Sequence, residues 1–195
     1  MELVLASKSP RRIEILRNVG YDFKVTPADF DEGTVDLTVD PVLGVKQLAK
    51  GKASAVFNTL PETSKISTVV LGADTIVVCD GEVMLKPKDE LDAHRMLKRL
   101  SGDTHQVYTA VSLITASETK TFVEKTDVYF YDLSDEEIDA YIKTGEPMDK
   151  AGAYGVQGQG SLLVERIDGD FFNVMGLPVL LLSEMLRHFG VDLLS

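Results

Sequence analysis

Leu3–Arg12 reads LVLASKSPRR. The apolar residues Leu3 to Leu5 form a short strand, and a tight loop then runs into the first turn of a helix. Ser9 has the chemistry of an N-cap and Pro10 that of a first helical residue. This places Arg11 and Arg12 in the first turn, where the helix dipole disfavours positive charge. Two guanidinium groups there gain little for the helix. They make sense around an anion held by helix N–H groups and two planar forks. The stretch therefore reads as a phosphate site. The competing reading is an exposed helix start with two solvated arginines.

Outward from this stretch, the helix runs from Pro10 to Asn18 and Gly20 closes it. Tyr21–Val25 suits a second strand. An acidic stretch, ADFDEGTVD, follows with Asp29, Asp31, Glu32 and Asp36. It reads as a solvated loop or as a carboxylate source for a divalent cation. Pro41 opens an amphipathic helix to Phe57, with Lys46, Lys50 and Lys52 on its polar face, where solubility alone is a sufficient account.

Thr68–Cys79 reads TVVLGADTIVVC. Two apolar runs flank Gly72-Ala73-Asp74-Thr75. A charged aspartate between buried runs is costly unless it is paired or faces a cleft. Its small neighbours would let a ligand approach the backbone. The alternative is a turn aspartate capping a hairpin. Asp80-Gly81 is a hairpin turn signal with Glu82–Leu85 as the return strand, and Lys86-Pro87 precedes a helix over 89–100.

Gln106–Ile114 and Thr121–Tyr131 pattern as strands. Ser134 and Glu137 make a capping box for a helix through Lys143. Asp149–Gly158, DKAGAYGVQG, is glycine-rich but has neither P-loop nor dinucleotide-fingerprint spacing. Leu162–Ile167 reads as a strand, Gly169-Asp170 as a turn, Phe171–Met175 as a short strand and Leu177–Phe189 as the last helix.

The 195 residues carry a formal net charge of -11. That argues against a nucleic-acid binder, which shows a basic face, and it makes clustered arginine and lysine more informative. No apolar run approaches the roughly 20 residues of a membrane span, and no basic-then-apolar leader precedes the first strand. The single cysteine, Cys79, excludes an internal disulfide and fits a reducing cytoplasm; it reads as a small apolar strand residue. His94, His105 and His188 lack ligand spacing and read as structural or surface residues. No nucleophile has a local base, so covalent catalysis is not expected.

Taken together, S-K-S-P-R-R at Ser7–Arg12, G-A-D-T at Gly72–Thr75, K-P at Lys86-Pro87, D-K-A-G-A-Y-G-V-Q-G at Asp149–Gly158 and G-L-P at Gly176–Pro178 resemble the Maf family of nucleoside triphosphate pyrophosphatases. The resemblance covers nearly the whole chain, as one domain of two lobes over residues 1–195. It implies an α/β, two-lobed mixed-sheet fold similar to inosine-triphosphate pyrophosphatases, with the substrate in a cleft between the lobes. It also implies hydrolysis of the α–β phosphoanhydride of a nucleoside triphosphate, a divalent cation (Mg²⁺ or Mn²⁺) and a homodimer. Asp74 corresponds to the proton acceptor of the family. Arg11, Thr75 and Gln157 correspond to its specificity positions. Ser7, Arg12, Glu32, Lys52, Lys86 and Lys150 match other polar substrate positions, and Glu32 and Asp74 are the expected metal ligands.

The branch acting on 7-methyl-GTP resembles S-P-aromatic-R-R, G-S-D-Q and a C-A-G-S loop, none of which is present. The chain resembles the dTTP/UTP branch, which implies action on dTTP, UTP and modified pyrimidine nucleotides. The family is also linked with septum formation, so a nucleotide-binding regulator of cell division is the rival expectation.

Overall fold

The structure, a computed structural model, describes residues 1–193. Its elements are β1 (Glu2–Leu5), α1 (Pro10–Val19), β2 (Phe23–Val25), α2 (Pro41–Thr59), α3 (Glu62–Lys65), β3 (Thr68–Cys79) and β4 (Glu82–Met84). There follow α4 (Glu90–Leu100), β5 (Thr104–Ile114), β6 (Thr119–Phe130), α5 (Asp135–Ile142), β7 (Val164–Asp168), α6 (Phe171–Met175) and α7 (Val179–His188). The strands form a mixed sheet of order β2-β1-β3-β5-β6-β7, with β4 paired on β3. The chain forms two compact units, one of residues 1–74, 109–124 and 176 onward, the other of residues 75–108 and 125–175. Among the described residues no helix is long and apolar enough to cross a membrane.

In the first unit, β1 pairs in parallel with both β2 and β3, Leu3 standing opposite Phe23 and Val69. Both of its neighbours being parallel, β1 reads as a buried apolar run rather than an alternating one. α1 buries Ile15 and Leu16 and ends at Gly20, whose φ of 100° is the left-handed cap expected there. α2 starts at Pro41, where Asp40 Oδ1 accepts from the Leu43 N–H at 2.9 Å. Val4, Ala53, Val56, Val70 and Ile114 join in one core.

In the second unit, β3 turns through Asp80-Gly81 into antiparallel β4, with Val77 opposite Met84. The capping box of α5 is present, Ser134 Oγ accepting from Glu137 N and Glu137 Oε2 from Ser134 N. Cys79 is buried in the core with Met84, Leu97, Val128, Phe130 and Tyr154. Burial pushes its thiol up from the usual range.

Three sequence expectations change. β3 is one continuous strand through Gly72–Thr75, so Asp74 caps no hairpin. Leu162 lies in a 3₁₀ segment, Gly158–Leu163, and β7 begins after it. Phe171–Met175 is helical, not a strand. Asp170 Oδ1 takes the Phe172 N–H at 2.7 Å, as a helix cap does. The buried Asn173 donates to Val107 O and to Thr126 Oγ1, a polar anchor that an alternating strand would not place there.

Candidate functional site

The geometry of the first unit starts at Gly72. A Cβ on it would lie 2.2 Å from the Ala49 carbonyl oxygen and 2.7 Å from the Ala53 nitrogen. The small residue therefore admits α2, not a ligand as its neighbours had suggested. Lys52 precedes Ala53 on that helix. Its Nζ stands 2.7 Å from Asp74 Oδ1, and the two side chains are only 13% and 14% exposed. This pairing answers the cost of a carboxylate in a mostly apolar strand.

The acidic stretch delivers a second carboxylate to the same ammonium. Asp31 Oδ1 accepts from Gly33 N at 3.0 Å and starts a 3₁₀ turn over Glu32–Thr34. Phe30 lies over Gly51 of α2, so close that a Cβ there would fall 2.3 Å from the ring. Glu32 Oε1 is thus held 2.8 Å from Lys52 Nζ. The stretch is a built loop, seated on α2 by an aromatic ring.

At the start of α1, Ser9 occupies the N-cap position but its hydroxyl makes no cap hydrogen bond. Its N–H instead donates to the buried Ser7 Oγ at 3.1 Å. Arg12 is buried, and its Nε donates to the Gly176 carbonyl at 2.8 Å, which ties α1 to the G-L-P segment. Burial lowers the guanidinium pKa from its usual value; Asp74 acts against that, Arg11 adds to it, and Glu32 acts against it. The structure thus brings Arg11, Arg12, Glu32, Lys52 and Asp74 into one charged group. Neither competing account of Lys52 and Glu32, solubility or a solvated loop, describes that arrangement.

The remaining predicted residues belong to the second unit. Thr75 is half-buried and follows Asp74 along β3. Lys86 is exposed just beyond β4, where Leu85 O accepts from Gly152 N at 3.2 Å and joins that strand end to the glycine-rich segment. Lys150 Nζ donates to Glu146 O at 2.6 Å and to Asp149 Oδ1 at 2.7 Å. Gln157 is exposed at the head of the Gly158–Leu163 turn. Glu146 was not legible as part of this segment, because G-E-P reads simply as a helix terminator.

Glu32 and Asp74 fit a small divalent cation in donor type. Mg²⁺ takes oxygen ligands and usually needs only one or two carboxylates when substrate phosphates supply the rest. In this structure the positive charge that they share is Lys52 Nζ. Among the described residues, three potential ligand atoms gather at Cys79, Asp80 and Asp103 instead. Arg99 already engages both of those carboxylates.

The histidines divide as read from the sequence. His94 and His188 pair on the surface with Asp139 and Glu118, each at 2.9 Å. His105 is fully buried, with Nε2 2.7 Å from Tyr154 Oη.

A family model described as "Maf-like protein" matches residues 2–189. A dTTP/UTP pyrophosphatase of Caldicellulosiruptor bescii is 48% identical over 195 residues, covering 99% of this chain and 97% of that one. One from Dictyoglomus turgidum is 47% identical, covering 99% and 98%. One from Clostridium perfringens is 45% identical and covers 100% of both chains. A solved nucleoside-triphosphatase, a dITP/XTP pyrophosphatase from Mycobacterium abscessus, aligns with a TM-score of 0.40 at 11% identity, covering 97% and 98%.

Proposed function

The chain belongs to the Maf-like family, and on that premise we propose that it hydrolyses dTTP and UTP at the α–β phosphoanhydride, releasing the nucleoside monophosphate and pyrophosphate. The observation that carries the reading is the convergence of Glu32 and Asp74 on Lys52, with Arg12 buried beside them. Hydrolysis of a phosphoanhydride asks a protein to neutralise phosphate oxygens, hold the line of attack and take a proton from water. The charged group holds every residue type needed. Relatives named for dTTP and UTP at 45–48% identity support the pyrimidine preference.

Asp74 is the general base of this proposal. Lys52 fixes its Oδ1, which aims the carboxylate and leaves Oδ2 to receive the proton. Arg11 and Arg12, with Ser7 shaping the loop, grip the phosphate chain at the start of α1. Lys52 and Lys86 add charge as pyrophosphate leaves, and Lys150 is a further substrate-binding residue. Glu32 and Asp74 would hold Mg²⁺ or Mn²⁺, which when bound supplies charge neutralisation and a more acidic water. Thr75 and Gln157 read the base: a glutamine amide offers both a donor and an acceptor to the uracil or thymine edge. Assembly as a homodimer and residence in a reducing cytoplasm complete the proposal.

The test is product analysis on a panel of nucleoside triphosphates with Mg²⁺ or Mn²⁺. UMP or dTMP together with pyrophosphate is the expected result. Orthophosphate and a diphosphate would place the cleavage at the wrong bond. Folded protein with no turnover would leave the nucleotide-binding regulator of septum formation as the reading.

A further inference from the structure

The segment that carries Lys150 and Gln157 has no strand or helix of its own to hold it beyond short 3₁₀ turns. Its first half is held by Gly152 N–H on the Leu85 carbonyl and by the buried Tyr154; around Gln157 it is held by one carboxylate and one phenol. Glu146 Oε2 accepts from Gln159 N at 3.1 Å. Glu146 Oε1 accepts from Gly160 N at 3.1 Å and from Tyr141 Oη–H at 3.0 Å. Tyr141 Oη in turn accepts from Gly155 N at 3.1 Å. Three backbone amides, at 155, 159 and 160, are thereby fixed on both sides of residue 157.

The sequence around the anchor agrees with it. A Cβ on Gly160 would fall 2.1 Å from the Gly155 carbonyl oxygen and 2.6 Å from Tyr141 Oη, so only glycine lets the segment close on the phenol. Tyr141 is buried at the end of α5, and burial pushes its phenol pKa up, so it keeps the proton that it donates to Glu146. Lys150 Nζ adds a fourth tie, to the Glu146 carbonyl oxygen. A side chain that reads a nucleobase selects well only if its own backbone is held before the ligand arrives.

We propose that Glu146, acting through Tyr141, is a positioning residue that sets the backbone at Gln157 and thereby the choice of base. The proposal rests on the reading of Gln157 as a base-reading residue. Glu146 acts through the amides of its own segment. A carboxylate suits the task because it accepts on both oxygens and offers no donor. Glutamine would place an NH₂ against at least one of the same N–H or O–H donors.

The test uses Glu146→Gln and, as a second variant that leaves the carboxylate in place, Tyr141→Phe. Amide hydrogen exchange on the protein without nucleotide reads the anchor directly. Exchange at Gly155, Gln159 and Gly160 should accelerate by about tenfold, the worth of one hydrogen bond, with core amides such as Leu97 and Val128 unchanged. Binding of non-hydrolysable UTP and CTP analogues reads the consequence. The preference for UTP should fall about tenfold in Glu146→Gln, as far as it falls in Gln157→Ala, and combining the two should add nothing more. Glu146→Asp, which keeps both accepting oxygens, should restore part of the preference. Unchanged exchange at the three amides overturns the proposal, and so does a wild-type preference in Glu146→Gln when Gln157→Ala has lost it. Failure of the pyrophosphatase reading shows separately, as wild-type protein that releases no pyrophosphate, and the analogue-binding ratio still decides the role of Glu146.

Discussion

Replacing Lys52 by Met tests the centre of the charged group. The substitution keeps the apolar stem and removes the ammonium that stands 2.7 Å from Asp74 and 2.8 Å from Glu32. Asp74 is only 14% exposed and loses its partner, whereas Glu32 is 59% exposed and returns to water at little cost. Breaking a buried pair from one side costs about 3–5 kcal/mol. The residual exposure of the site and the positive charge of Arg12 near Asp74 bring the expectation to about 3 kcal/mol. For a chain of this size that lowers Tm by about 6–12 °C. Asp74→Asn in the Lys52→Met background should recover much of the loss, giving a coupling energy of about 1–3 kcal/mol in the double-mutant cycle. The assay is urea denaturation of the four proteins without nucleotide. The same samples test the metal. With the ammonium gone, Mg²⁺ should raise Tm more in Lys52→Met than in wild type, because it meets two carboxylates without their resident cation. A coupling energy near zero would show that Lys52 does not hold Asp74. Equal Mg²⁺ stabilisation of both proteins would remove Glu32 and Asp74 as the metal ligands.

The other predictions concern residues beside this pair and in the core. Asp74→Asn should lower kcat at least about 10²-fold with the fold intact; turnover near wild type would remove Asp74 from the base role. Gly72→Ala should cost about 3 kcal/mol in urea denaturation, since its Cβ would meet the α2 backbone 2.2 Å away; a loss under about 0.5 kcal/mol would mean that α2 is not seated there. Burial lowers the His105 pKa from 6.5 to about 4, and Asp103 and Asp127 oppose it only in part. The folded state therefore holds the neutral ring. Its stability contribution is full above pH 6.5 and falls away as pH drops towards 4, by up to about 3 kcal/mol. Wild type should lose that much more than His105→Gln between pH 7 and pH 4 in urea midpoints, and parallel losses would refute the buried neutral ring.

What was legible in the chain was whatever a residue type decides with its near neighbours. Ser134 and Glu137 form their capping box three residues apart, and Asp80-Gly81 makes its hairpin turn in two. Gly20 ends α1 for the same local reason. Phe171–Met175 was misread because its aromatic and branched residues favour strands, while the deciding contacts come from Asp170 and from Thr126, which is 47 residues from Asn173. The Gly72 reading failed in an informative way. Space for close approach was legible, but not what approaches, because α2 lies about twenty positions away in the chain.

The same distinction separates the charges from their partners. Arg11 and Arg12 stood out because a helix start penalises them, and Asp74 because a buried strand does. Each residue announced a cost that something must answer. For Asp74 the answer is Lys52, 22 residues earlier, and for Arg12 one answer is the Gly176 carbonyl, 164 residues later. Glu146 announced no such cost. A glutamate beside Gly145 and Pro147 is ordinary at a helix end, and it shows its importance only when the amides of Gln159 and Gly160 fold back onto it. Sequence reasoning from local cost thus finds Arg11, Arg12 and Asp74 among the residues proposed to touch phosphate, metal and water, whereas Lys52 and Glu32, whose local settings are comfortable, enter through the family resemblance. It passes over residues whose setting is comfortable and whose work is to hold others in place. Substituting Glu146 therefore tests a class of residue that composition and motif leave unmarked.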